Sequence, residues 1–187
     1  MFRRAIDAFI RERATHRVRL QGPPTYSGQL DQDVLVPRDR AGRPGYVVRT
    51  GGPSHDIRRR STQGARSDFA VAAGPRTIVI STCVGRAPRL GSPAEIAARA
   101  EAHLGGDHGC HVLSAPAPTF FAGVPAVSLE VGVPAADGVG YRGLSRDWHF
   151  QREGWAFVAG WVHATSDPPE CRETAEHILA SWRWLTP

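Results

Sequence analysis

The chain has 187 residues, of which 41% are hydrophobic, enough for one domain with its own core. No stretch approaches about 18 uninterrupted apolar residues, which excludes a membrane-spanning helix, and Met1–Asp7 is read as lacking the apolar core of a secretory or lipoprotein signal. All 23 basic residues are arginine and the net charge is +5, but the charge is uneven: residues 1–66 carry 14 Arg against 6 acids, whereas residues 67–187 carry 9 Arg against 12 acids. An acidic partner would therefore meet the first third of the chain.

Phe2, Ile6, Phe9 and Ile10 recur at helical spacing, with Arg3, Arg4, Arg11 and Arg13 around them. This is a basic amphipathic helix, read as an extension spanning residues 1–20 ahead of one domain at 21–187. Docking on its own domain, a partner-binding arm and membrane-surface attachment all fit such a helix; the early acids Asp7 and Glu12 count against the last. Residues 21–67 are rich in Gly, Pro and Arg. Asp33–Val36 and Tyr46–Val48 read as short strands joined through Arg43-Pro44-Gly45. Residues 51–67 read as a solvated basic loop centred on Arg58, Arg59, Arg60 and Ser61. Phosphate binding or phosphorylation of Ser61 is the alternative, and no aromatics interleave these arginines to make a base-stacking platform.

Thr77–Val84 is β-branched and apolar on both faces, the clearest strand in the chain, with Cys83 as a small buried hydrophobe. Ser92-Pro93-Ala94-Glu95 is a capping box with proline at the first helical position, and it predicts a helix over Ser92–Leu104 that ends at Gly105-Gly106. Residues 111–114 and 119–122 read as strand pieces. In Ala126–Val131 the residues Val127, Leu129 and Val131 face inward, Ser128 and Glu130 outward; residues 133–140 read as a loop. A hairpin follows over 145–164. Arg146, Trp148, Phe150 and Arg152 lie on one side, with Asp147, His149 and Gln151 on the other, presented as the exposed side of an edge strand. Glu153-Gly154 makes the turn. Trp155, Phe157, Ala159 and Trp161 return with both faces apolar. Asp167 is the expected N-cap of a last helix, whose apolar stripe is Cys171, Ala175, Ile178, Leu179 and Trp182.

The chemistry-bearing residues yield no convincing catalytic or metal constellation. His103, Asp107, His108, Cys110 and His111 crowd together, but their spacing matches no standard zinc site and no second ligand pair completes a tetrahedron. Cys110 beside His108 or His111 has no nucleophile motif around it, and Ser81 and Ser128 have no elbow. With no lysine there is no phosphate-binding loop of the usual kind, and Gly138-Val139-Gly140 lacks the strand-to-helix setting of a dinucleotide site. Glu153 and Asp147 near His149 are read as turn and surface groups. Trp148, Trp155 and Trp161 are read as sheet packing; if a pocket exists, their indoles line it. The odd count of three cysteines argues against a disulfide framework and for a reducing, cytoplasmic setting.

The strand Thr77–Val84, the capped helix 92–104, the strands within 111–131, the hairpin 145–164, the proline break and the helix ending near Ser181-Trp182-Arg183 together resemble the PsbP-like fold. That group includes the DcrB and LpqN bacterial proteins, the photosystem protein PsbP, Eag-type chaperones and a Ran-binding import factor. The resemblance implies an α+β fold, an antiparallel sheet with helices on both faces (an α/β/α sandwich), and a largely non-catalytic family that binds other proteins. It carries over no binding residue.

The resulting expectation is a non-enzymatic, bacterial, cytoplasmic protein-binding domain without cofactor or metal. Its contact residues would be Phe2, Arg3, Arg4, Ile6, Phe9, Ile10, Arg58, Arg59 and Arg60, and its partner another protein; a homodimer through exposed sheet edges is compatible. The alternatives are a nucleic-acid-associated protein using the arginine-rich first third, and a small enzyme with a site near 103–111.

Overall fold

The computed structural model describes residues 30, 32–51, 66–87, 89–96, 98, 111–135 and 138–186. Among the described residues ten strands run in chain order: β1 (Gln32–Val36), β2 (Tyr46–Thr50), β3 (Arg66–Ala72), β4 (Ile78–Arg86), β5 (His111–Val112), β6 (Ala117–Phe121), β7 (Val124–Pro134), β8 (Tyr141–Arg152), β9 (Trp155–Ala164) and β10 (Arg183–Trp184). The closing helix, α1, spans Pro169–Ala180. A large sheet has the order β3-β4-β9-β8-β7-β5, with β6 also on β7, and a small one the order β1-β2-β10. Every pairing is antiparallel.

Two hairpins set the register of the large sheet. Ala122-Gly123 joins β6 to β7 and Glu153-Gly154 joins β8 to β9. All four residues have positive φ, between 48° and 78°, as the type I′ turn between twisted strands requires. From Glu153-Gly154 the register runs Arg152↔Trp155, Phe150↔Phe157, Trp148↔Ala159, Arg146↔Trp161. One face of the sheet therefore gathers Phe150, Phe157, Ala159 and Trp161, together with Phe69, Val71 and Val79 from β3 and β4. The α1 stripe Cys171, Ala175, Ile178, Leu179 is buried and, from Ala175 on, packs into this cluster with Trp182, as the helical spacing predicts. Tyr46, Val48 and Val36 of the small sheet join the same cluster. The opposite face carries a second, smaller cluster of Val127, Leu129, Val131 and Ile96.

An α/β/α sandwich with helices on both faces is not what the chain forms. Among the described residues 53% lie in strands and 14% in helices, so the protein is mostly antiparallel β-sheet. The reason lies in residues 124–164. Read as a strand at 126–131, a loop over 133–140 and a hairpin over 145–164, they form three consecutive strands of 11, 12 and 10 residues. Part of the cover on the aromatic face is likewise a three-stranded sheet rather than a helix.

Three local expectations also change. Ser128 is 8% exposed rather than outward-facing, because it stands in register with Trp148 on the face of the aromatic cluster. Strand β8 lies between β7 and β9, so the side bearing Asp147 and His149 is not that of an edge strand. Pro168, with no side-chain cap, precedes α1, while Asp167 turns inward to other partners. The capping box at residue 92 forms as read: Ser92 N–H donates to Glu95 Oε2 at 2.7 Å and Glu95 N–H to Ser92 Oγ at 3.3 Å. Of the helix it opens, residues 93–96 and 98 are described as helical. No described helix is long and apolar enough to cross a membrane.

Candidate functional site

Phe2, Arg3, Arg4, Ile6, Phe9, Ile10, Arg58, Arg59 and Arg60 lie outside the described residues, as do His103, Asp107, His108 and Cys110. His111 is described: exposed at the start of β5, its Nδ1 lies 3.3 Å from the Tyr141 hydroxyl. Among the described residues no three of His, Cys, Asp and Glu gather in metal-binding geometry. The polar groups the fold does bring together form three sites.

The first lies where β2 covers β3 and β4. The β-bulge between Ser67 and Phe69 accompanies an ion pair between Asp68 and Arg43. Tyr46, fully buried, shares this neighbourhood with Ser81 and Cys83. Burial holds the Tyr46 phenol well above its usual range, the Asp68 carboxylate adding to the effect. Burial also raises the Asp68 carboxyl, with Arg43 opposing, and pushes the Cys83 thiol up to about 11. Tyr46 Oη, Ser81 Oγ, Asp68 Oδ2 and Arg43 Nε are enclosed together, with the Ser81 hydroxyl beside the phenol and Asp39 Oδ2 at 3.5 Å from Arg43 Nε. The raised thiol makes Cys83 a poor nucleophile.

The second site ties the ends of β4 and β9 to the start of α1. Thr77 Oγ1 donates to Asp167 Oδ2 at 2.7 Å and lies 2.9 Å from His163 Nδ1. Thr77 has one hydroxyl proton and the carboxylate takes it, so the bond to His163 is donated by Nδ1–H. Arg76 N–H completes the carboxylate's shell at 2.8 Å. Burial lowers the His163 pKa, Asp167 opposes and Arg172 adds to the lowering. Thr77, His163 and Asp167 are 0%, 7% and 8% exposed. The threonine hydroxyl is engaged on both sides, the arrangement of a structural staple rather than of a free nucleophile. Sequence reading missed it because its members are 86 and 90 residues apart.

The third is Asp147, on the face opposite the aromatic cluster. Its register neighbours are Leu129 on β7 and Gly160 on β9. Oδ1 is enclosed and has no hydrogen-bond partner. Burial alone pushes the carboxyl up to about 7.

The tryptophans are packing groups, as read. Trp161 is 3% exposed, and Trp155 and Trp148 are half-buried, with the guanidinium carbons of Arg86 and Arg146 at 4.8 and 4.9 Å from their ring centroids.

No family matches the chain, and no curated protein does. Among solved structures it shows a distant likeness to LpqN of Mycobacterium tuberculosis, a protein involved in cell envelope biogenesis. The identity is 12%, the match covers 83% of this chain and 80% of that one, and the TM-score is 0.36. Nothing about activity transfers at that distance.

Proposed function

We propose that the chain is a non-enzymatic binding domain whose partner is another protein, engaged as an extended segment alongside β6. The observation that carries this reading is Phe120, 73% exposed on β6. Its neighbour Phe121 is buried in the main core, so the strand is anchored by one phenylalanine and presents the other. Among the described residues no strand pairs with the outer side of β6. Pro118 within it is a residue that sheets confine to edges. Backbone pairing along an open edge with a large apolar side chain beside it is a common mode of peptide capture.

The test is a photo-crosslinking phenylalanine analogue at position 120, in the native host, with nuclease added in parallel. A discrete protein adduct that survives nuclease and is lost when Phe121→Ala loosens the strand supports the proposal. An adduct of this chain with itself points to a homodimer instead, and loss with nuclease points to a nucleic-acid-bound state. No adduct at all overturns it.

A further inference from the structure

Three segments far apart in sequence meet at the end of the large sheet where β8 turns into β9. They are the loop between β1 and β2, the end of β4, and the Glu153-Gly154 turn. Arg38 of the loop donates to Glu153 Oε2 at 2.8 Å. Arg86, the last residue of β4, stands in register with Trp155. Its Nη2 donates to the Ala41 carbonyl of the loop at 2.9 Å, and Ala87 N–H donates to the Gly154 carbonyl at 2.9 Å. The loop is shaped by Asp39, whose Oδ1 accepts the N–H groups of Ala41 and Arg43, both at 2.9 Å.

The charge at this end is in surplus. Arg38 and Arg152 share the one carboxylate of Glu153, at 2.8 and 3.6 Å. Asp39 and Asp68 both serve Arg43. Arg40 and Arg86 are exposed, and among the described residues neither has a carboxylate partner. Arg86 is nonetheless held in place. Its guanidinium carbon stands 4.8 Å from the centroid of the half-buried Trp155 ring, and the Ala41 carbonyl fixes one nitrogen. An arginine ordered in advance by a ring and a carbonyl loses less freedom when its other N–H groups take a ligand. Beside it, at the β-bulge between Cys83 and Gly85, Val84 is 61% exposed, so an apolar contact accompanies the cation.

We propose that this end of the sheet, centred on Arg86, is a docking surface for an acidic segment of a partner protein. A Glu or Asp side chain of the segment is taken by the Arg86 fork with Arg40 beside it, and an aliphatic neighbour rests on Val84. The planar guanidinium matches a carboxylate through two parallel N–H···O bonds. A nucleic-acid strand fits less well, because its bases need free aromatic faces. Here Arg86 and Arg152 stand over Trp155 and Trp184, at 4.8 and 5.6 Å from the ring centroids. The surface is separate from the β6 edge, since β9, β8 and β7 lie between β4 and β6, and it does not depend on the role given to that edge.

The experiment uses the full chain with isotope-labelled arginine and follows the Nε–H signals by NMR, Arg86 being assigned by through-bond correlation. The probes are the acidic peptide acetyl-Glu-Val-Glu-Val-Glu-amide, its neutral counterpart acetyl-Gln-Val-Gln-Val-Gln-amide, and an oligothymidylate of similar charge. The expected result is a saturable shift of the Arg86 signal with the glutamate peptide and none with the glutamine peptide. The affinity is expected to fall severalfold between about 0.01 and 0.15 M ionic strength. Arg86→Lys keeps the charge but not the fork, and should bind the glutamate peptide roughly three- to tenfold more weakly. The proposal is overturned if the glutamine peptide binds as well, if Arg86→Lys binds the glutamate peptide equally, or if oligothymidylate takes the site more tightly. It is also overturned if the Arg86 signal is unmoved at the highest concentration of glutamate peptide, a readout that needs no variant to fold.

Discussion

Tyr46 of β2 stacks on Trp182, just beyond the closing helix, with ring centroids 3.7 Å apart and planes inclined by 17°. The contact joins residues 136 positions apart and fastens the small sheet to the end of the chain. Around it Trp182 also meets Phe121 and Phe150 edge-on, at 5.3 and 5.9 Å. Trp182→Ala removes the centre of this cluster and is expected to cost about 3–5 kcal/mol. Trp182→Phe should recover a substantial part of it. Urea unfolding of the three proteins checks this; a cost below about 1 kcal/mol for the alanine variant would show that the stack does not hold the sheets together.

Gly160 is required by its neighbours rather than by its own backbone. The new methyl of Gly160→Ala would meet both the Asp147 carboxylate and the Arg146 carbonyl. The side chain can shift, but the backbone oxygen sits in the β8–β9 pairing and cannot yield as cheaply. A loss of about 1–3 kcal/mol is expected, persisting when Asp147 is also shortened to alanine. Full rescue by that second change would place the conflict in the side chain alone.

Asp147 also makes stability depend on pH. Its folded pKa is raised from 3.8 to about 7, so the folded state holds the proton where the unfolded state has lost it. The contribution of this group to stability is therefore fully present below about pH 4, is lost as pH rises towards 7, and changes little above. Relative to the wild type, Asp147→Asn should gain stability across that window, on the order of 2–4 kcal/mol by pH 8, with little difference near pH 4. Parallel denaturation curves at pH 4, 6 and 8 measure the difference. A gap that does not change with pH would mean that the carboxyl titrates in its ordinary range.

The hydroxyl of Thr77 bridges His163 and Asp167. Thr77→Val keeps the shape, removes the bridge, and leaves two buried polar groups short of a partner. A loss of about 1–3 kcal/mol is expected, whereas Thr77→Ser should lose less. Equal thermal unfolding of the valine and serine variants would count against the staple.

Much of the molecule was written locally. The hairpin at Glu153-Gly154 follows from a glycine tolerant of positive φ between two alternating runs. The capping box at Ser92–Glu95 is closed by two residues three apart, and the α1 stripe is set by helical periodicity. Each of these rests on residues within a few positions of one another, where geometry is nearly independent of the rest of the chain. The alternation through 145–164 also placed every aromatic on its correct face. Strand lengths were less legible, because an 11-residue strand containing Pro125, Gly132 and Pro134 reads as a set of fragments until its neighbours on both sides hold it extended.

What the sequence by itself determined is therefore the set of faces: which side chains of the hairpin travel together, which side of the last helix is apolar, and where the chain turns. The tertiary structure decided which of those faces are covered, and with that the character of each site. It turned Asp167 from a helix cap into a ligand of Thr77. It placed Asp147 in an interior strand over Gly160, and it laid a small sheet rather than a helix against part of the aromatic face. The physical reason is that burial and desolvation are properties of assembled layers. A carboxylate's pKa, an enclosed hydroxyl or an exposed Phe120 depends on what another strand brings against it from many residues away.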